Sequence, residues 1–438
     1  MPATLVPPRT VPAPPRPSPR RTWLPLAAWT VLVAGCIAVG VRLRADGLLR
    51  LGGLPPFHGW PRAAPLTWQL LPALAFAALA LTVAPRLART LRWRALLPAV
   101  WLATAAWACL LAASDGVGAL ATPIAGRDEY LGVAAGIGTD PFGWLHGFAA
   151  NVAHYPTHVA GHPPLPVLIF WALDAVGLGG PGAAAALCIL LGGSASAAVL
   201  VTVRCLASEE HARGAAPFLA LAPYVLTVAT SADAMFLGVS AWGVALLASA
   251  VRRDSPSLGV ASGVLLAATA YLNYGLLPLA AIPLVVLWRA RFPLRPLVGL
   301  GVGAALVVAA FTAGGFWWPD GVAATHARWA FGSGSKRPYW YVLVANLALF
   351  AVITGPATAA ALARLRRGAW PLVGAALLAV AVLDLSGVTR GEVERIWLPF
   401  AAWVMLAASA LPRAHVRRWL LAQVAVAVLV QGTVRLLW

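Results

Sequence analysis

The chain has 438 residues, of which 61% are hydrophobic and only 11% charged, against roughly a quarter charged in ordinary soluble domains. So few charges cannot clothe a water-soluble protein of this length, whereas lipid as solvent removes the need. The net charge of +18 does not indicate nucleic acid, because the basic residues fall in small clusters between apolar runs and not on one domain.

Residues 1–22, rich in Pro and Arg, read as a disordered tail, and 23–438 as one transmembrane domain. Trp23 to Val41 is uncharged and has no cleavage-like site close behind it, so it reads as a retained first span and not a signal peptide. Further uncharged apolar runs fall at 66–85, 95–113, 183–203, 215–230, 234–251, 257–272, 275–288, 296–315, 339–361, 368–383, 396–411 and 419–434. The expected fold is an all-α, polytopic integral membrane protein with about 13 transmembrane helices, although several runs are shorter than the usual 17–25 residues. No internal repeat is evident. Tryptophans near the ends of the runs suit interfacial anchoring. Cys36, Cys109, Cys188 and Cys205 have no metal-binding spacing.

Pro163 to Leu178 is apolar but carries Asp174 and opens on Pro163, Pro164 and Pro166. We read it as lying at the outer surface, because a crossing there would put Arg252, Arg253, Arg289, Arg291, Arg295, Arg364, Arg366 and Arg367 outside, against the positive-inside rule. With 13 spans and the N-terminus inside, 21 of the 32 basic residues lie inside and 11 of the 14 acidic residues outside. The segment 42–65, with four arginines, dissents. The outer loops are then 114–182, 231–233, 273–274, 316–338 and 384–395, and the first is far longer than an ordinary connection, which points to function.

Four motifs sit in these outer loops. Arg127-Asp128-Glu129-Tyr130 places adjacent carboxylates at a membrane surface, where mutual repulsion and lost hydration favour a proton-accepting role; the bland alternative is a solvated acid paired with Arg127. His154, His158 and His162 stand four apart and could hold a metal on one helical face, but Pro156 disturbs such a helix, so bonding within the loop or donation to a phosphate is the stronger reading. Lys336 and Arg337, ahead of Tyr339-Trp340-Tyr341, are either a phosphate clamp or a snorkelling helix start. Arg390 to Phe400 gathers four charges before an apolar run, with Glu392 and Arg395 three apart; Asp233, alone between two runs, makes the same argument more weakly.

In this order the motifs resemble the GT-C superfamily of membrane glycosyltransferases, which includes the protein O-mannosyltransferases and the bacterial lipid A aminoarabinose transferases. Asp128-Glu129 is similar to the family's acidic motif in its large first outer loop. His162-Pro163-Pro164-Leu165 resembles its basic-residue-Pro-Pro-Leu segment, with histidine where lysine is usual, and Gly391 to Trp397 looks like a late motif of bacterial members. The likeness spans about residues 95–400, and two spans precede the acidic loop where many members have one.

The resemblance implies 11–13 spans, outer-loop helices lying along the membrane, and a polyprenyl-phosphate sugar as donor. It implies an inverting transfer at the outer face of a bacterial cytoplasmic membrane to an unspecified glycan, lipid or protein. On this reading Asp128 is the base and Glu129 orients it or shares a divalent metal, whose requirement stays open. His162, Lys336, Arg337 and Arg395 bind the donor phosphate, with Tyr130, His158 and Glu392 in support. The rival is a transporter or flippase without covalent chemistry, for which the Gly/Pro-rich spans and Asn273-Tyr274 speak. A scaffold would leave the charged loops unexplained.

Overall fold

Long apolar runs close their backbone hydrogen bonds within themselves by coiling into helices, as lipid requires, and the computed structural model, which describes residues 20–364 and 369–437, is built almost wholly of them. Helix α1 is Arg20–Ala45, α2 Leu71–Thr90 and α3 Trp93–Ala112. The segment 114–182 then breaks into short pieces: α4 Leu131–Gly136, α5 Pro141–Gly147, α6 Thr157–Gly161 and α7 Leu165–Ala175, with 3-10 turns between. Beyond it run α8 Pro181–Leu206, α9 Glu209–Ala220, α10 Ala232–Arg253, α11 Pro256–Leu272, α12 Ala281–Arg289 and α13 Leu294–Ala313. The rest are α14 Trp318–Phe331, α15 Tyr339–Leu362, α16 Trp370–Ser386, α17 Val393–Ile396, α18 Leu398–Val404 and α19 Val416–Thr433.

Among the described residues, seven helices are long and apolar enough to cross a membrane: Trp23–Ala45, Trp68–Thr90, Trp93–Asp115, Pro181–Leu206, Ala232–Arg253, Leu294–Ala313 and Tyr339–Leu362. The protein is membrane-embedded and all-helical in its spanning part. Five shorter apolar stretches run beside them: Leu165–Ala175, Pro256–Leu272, Tyr274–Arg289, Trp370–Ser386 and Leu398–Ala410. Helix α7, at 11 residues, is about 16 Å long, half a bilayer core. Most of the expected tail, residues 1–19, lies outside the described residues; 20–22 already begin α1.

Several runs that read as single spans are not single α-helices. The run 215–230 holds the end of α9 and a 3-10 turn at Pro223–Thr227, separated where Pro223 cannot donate a helical hydrogen bond. The run 396–411 is α18 continued as a 3-10 stretch, Met405–Ala410. Helix α15 breaks at Gly355, whose φ of 77° is open to glycine, just before Pro356. Gln423 of α19 mends the break: its amide nitrogen, Nε2, donates to the Thr354 carbonyl at 3.0 Å and its Oε1 accepts from the Ala357 N–H at 3.3 Å.

Burial separates centre from rim. The spans α8, α10 and α15 are each 72% buried over their apolar window, against 11% for α1 and 22% for α13. Helices α11 and α13 meet backbone to backbone through Gly259 and Gly263 on one and Gly299 and Gly303 on the other, where added methyl groups would collide with main-chain atoms of the partner. One element lies outside the all-α expectation: β1 Gly59–Pro61 pairs antiparallel with β2 Val434–Leu436, fastening the 42–65 segment to the end of α19.

Polar contacts sort the helix ends into two layers. At the end expected to face inward, Arg213 donates to the Ala88 and Leu91 carbonyls at the end of α2 and pairs with Glu209, while Arg413 pairs with Glu210 and Arg295 with Asp254. At the opposite end, Arg62 pairs with Asp115, Thr227 bonds the Glu394 carbonyl, and Asn273 reaches His162. The short helices α4–α7 and α14 pack over that second end.

Candidate functional site

The acidic doublet divides. Asp128, half-exposed, accepts from the Thr157 hydroxyl at 3.0 Å and faces Arg127 at 3.5 Å on the rim. Its carbonyl takes the His158 N–H at 3.0 Å, which seats the 126–130 turn on α6. Glu129 turns inward, and its Oε1 lies 2.7 Å from His158 Nδ1. His158 Nε2 stands 3.4 Å from a guanidinium nitrogen of Arg395. Because arginine can only donate, Nε2 accepts and Nδ1–H donates to Glu129, which fixes the tautomer.

Arg395, presented by α17, is the hub. It is 3% exposed and pairs with Asp233 of α10 at 2.5 Å and with Glu392 at 3.4 Å. Removing these charges from water is costly unless they are paired. Glu392 Oε2 faces Arg395, and its Oε1 lies 3.5 Å from Arg337 and 3.8 Å from His58. Burial alone would push the Glu392 carboxyl up, but His58, Arg395 and Arg337 outweigh it and bring it down to about 2, so it is charged. Arg337 is also held by the Arg50 carbonyl at 3.0 Å and by the Arg390 carbonyl. Burial pushes Glu394 up to about 7; one of its oxygens accepts the His58 N–H at 2.9 Å, and the other has no hydrogen-bond partner among the described residues.

His162 is 7% exposed, with Nδ1 2.6 Å from the His158 carbonyl and 3.0 Å from the Tyr130 hydroxyl, and Nε2 receives the Asn273 amide at 3.2 Å. Burial pushes it down to about 4 against the pull of Asp233, so at neutral pH it is an uncharged brace for the loop. Tyr130 is fully buried beside it.

No known protein family, characterised protein or solved structure matches this chain. What the cluster can do follows from its own groups.

Of the residues singled out in the sequence, Glu129, His158, Glu392, Arg395 and Arg337 join one buried network, with Tyr130 and His162 bracing it. Asp128 sits at its rim. Lys336 does not join: it ends a 3-10 turn with its side chain exposed, while the neighbouring Arg337 turns inward. Among the described residues no group of three or more His, Cys, Asp or Glu could hold a metal. The three-histidine idea fails locally because His154 closes a 3-10 turn, Pro156 separates it from α6, and His158 and His162 bond different partners.

Two members were underrated or missed. Asp233 had only its isolation between apolar runs as a signal, yet it is 0% exposed and makes the shortest contact to Arg395. His58 comes from the 42–65 segment, where nothing in the sequence pointed to a site. A backbone clamp supports the late motif: Asn346 donates to Asp384 and to the Thr389 carbonyl, each at 2.9 Å, and accepts the Gly391 N–H at 3.1 Å.

Proposed function

We propose that this chain is a glycosyltransferase of GT-C type that moves a sugar from a polyprenyl-phosphate donor to an acceptor hydroxyl at the outer face of a bacterial cytoplasmic membrane. The observation that supports this reading is a single one. Acidic, imidazole and guanidinium groups from four distant stretches of sequence meet in one buried network at one end of a helical bundle. That collection supplies a proton acceptor beside two cations, which is what displacement of a phosphate leaving group needs. In the reaction the acceptor hydroxyl gives its proton to the acidic pair and its oxygen bonds the anomeric carbon. The bond from that carbon to the phosphate oxygen breaks with inversion, and polyprenyl phosphate departs with the electron pair. Of the two acids Glu129 is favoured as base, because His158 holds it inside the network.

Purified protein in liposomes, given radiolabelled polyprenyl-phosphate sugars and an acceptor extract, is expected to break the sugar–phosphate bond and label the acceptor. Passage of intact lipid-linked sugar across the bilayer, with no bond broken, would instead make it a transporter. The helix break at Gly355 is the feature that invites that rival, but Gln423 already satisfies its freed backbone groups.

The reading needs about 13 crossings with the network outside. A membrane-impermeant maleimide on intact cells is expected to label Gly182→Cys, where a side chain meets open space, and to miss Ser257→Cys at the opposite end. The native cysteines are first removed. Labelling of both from the same side would overturn the topology.

A further inference from the structure

The two guanidiniums at the centre of the network are held very differently by their carboxylates. Asp233 touches Arg395 at 2.5 Å, with neither side chain more than 3% exposed, which is a tight, dry pair. Glu392 makes no such contact. Its oxygens lie 3.4 Å from Arg395, 3.5 Å from Arg337 and 3.8 Å from the His58 imidazole, all longer than the 2.7–2.9 Å typical of a charge-assisted bond. Its side chain is still 23% exposed. One carboxylate thus sits loosely in the middle of three groups that converge on it from three separate parts of the chain.

The rest of the loop is firmly fixed, so the looseness belongs to the Glu392 side chain. Gly391 is tied to Asn346, and Arg390 donates to the Ser335 and Arg337 carbonyls at 2.5 and 3.1 Å, with its guanidinium over the rings of Trp329 and Tyr339. These contacts hold Arg337 and the late motif in place without help from Glu392. Rotation of one side chain toward solvent would empty the space between Arg337, Arg395 and His58 and leave the backbone as it is.

We propose that Glu392 is an internal plug: its carboxylate occupies the site for a phosphate group, and an incoming phosphate displaces it. The charges balance in the exchange, because a phosphodiester carries one negative charge, the same as the carboxylate it replaces. Arg395 stays neutralised by Asp233 on its other side, and Arg337 exchanges a carboxylate for the two non-bridging oxygens of the phosphodiester. A plug of this kind keeps the buried Arg337 guanidinium from standing without a carboxylate when no ligand is bound. The inference rests on the reading of this end as a phosphate-handling site. It reverses the role of Glu392 from a partner that holds Arg395 in place to a competitor for its ligand.

The test compares equilibrium binding of undecaprenyl phosphate, undecaprenol and inorganic phosphate to full-length wild type, Glu392→Gln and Glu392→Asp in detergent. Each variant's melting profile is recorded to show that it is folded. Glu392→Gln keeps the shape and removes the charge, so it is expected to bind undecaprenyl phosphate about tenfold more tightly, the scale of a lost charge competitor. Glu392→Asp keeps the charge but withdraws it, and should fall between the two. Undecaprenol binding should not change. Weaker or equal phosphate-lipid binding in a folded Glu392→Gln would overturn the plug and make Glu392 a structural partner. Tighter binding of inorganic phosphate alone would keep the plug and overturn the lipid-donor reading. Binding of neither phosphate to any of the three proteins would overturn both.

Discussion

Glu129→Gln is expected to lower sugar transfer by about 10²–10⁴-fold, the usual cost of losing a general base, while leaving the protein folded and the donor bound. The amide keeps the size of the side chain and an oxygen that still accepts from His158 Nδ1–H, so the 2.7 Å contact survives and only the ability to take a proton is lost. Asp128→Asn is the matched control, and it is expected to cost less than about tenfold, because Asp128 lies at the rim, bonded to Thr157 and facing Arg127. The sequence alone favours the opposite order. Initial rates with the best polyprenyl-phosphate sugar for wild type decide between them. A large loss in Asp128→Asn with near-normal Glu129→Gln would return the base to Asp128.

The divided doublet shows where sequence reasoning stops. That Asp128 and Glu129 lie in a long connection between apolar helices was legible from the charge distribution, since lipid excludes charge. Which of two adjacent acids turns inward depends on the short helix α6, whose His158 comes round to meet Glu129 and whose Thr157 meets Asp128. No periodicity in a proline-interrupted stretch announces that turn. The pairing of Arg395 with Asp233 is of the same kind, for the two are brought together only by the packing of α10 against α18, which directly follows α17.

Helices were legible where the apolar run was long and unbroken, as in α8 and α10, because burial of a continuous run without satisfied backbone groups is prohibitive. Boundaries and continuity were less so. Pro217 lies inside α9, whereas Pro223 opens a 3-10 turn and Pro356 follows a break in α15, so proline alone does not say whether a helix continues. The outcome at Gly355 depends on Gln423, a polar residue of α19 that reads from sequence as an unremarkable interruption. The contact between α11 and α13 runs through Gly259/Gly263 and Gly299/Gly303, small residues that let the two backbones approach closely. The β1–β2 ribbon had no signal in the sequence, since three-residue strands carry almost no pattern.

Asp233→Ala is expected to destabilise the protein by about 3–5 kcal/mol, the usual cost of removing one partner of a buried ion pair. Asp233 is 0% exposed and Arg395 3%, so the guanidinium left behind cannot recover its hydration, and Glu392 at 3.4 Å is a poor substitute for a contact at 2.5 Å. The penalty belongs to the stranded charge and not to the lost contact, which makes a second prediction separable from the first. Asp233→Leu combined with Arg395→Met removes both charges and fills their volume, and it should regain most of the stability, because buried pairs exchanged for packed apolar residues are often neutral. Unfolding in a denaturing-detergent titration would measure all three proteins. The doubly substituted protein should be stable yet inactive, since Arg395 also faces His158 and Glu392. Stability of Asp233→Ala equal to wild type would mean that the pair is not what holds α10 to the late motif. Full activity in the stable double variant would remove Arg395 from the chemistry altogether.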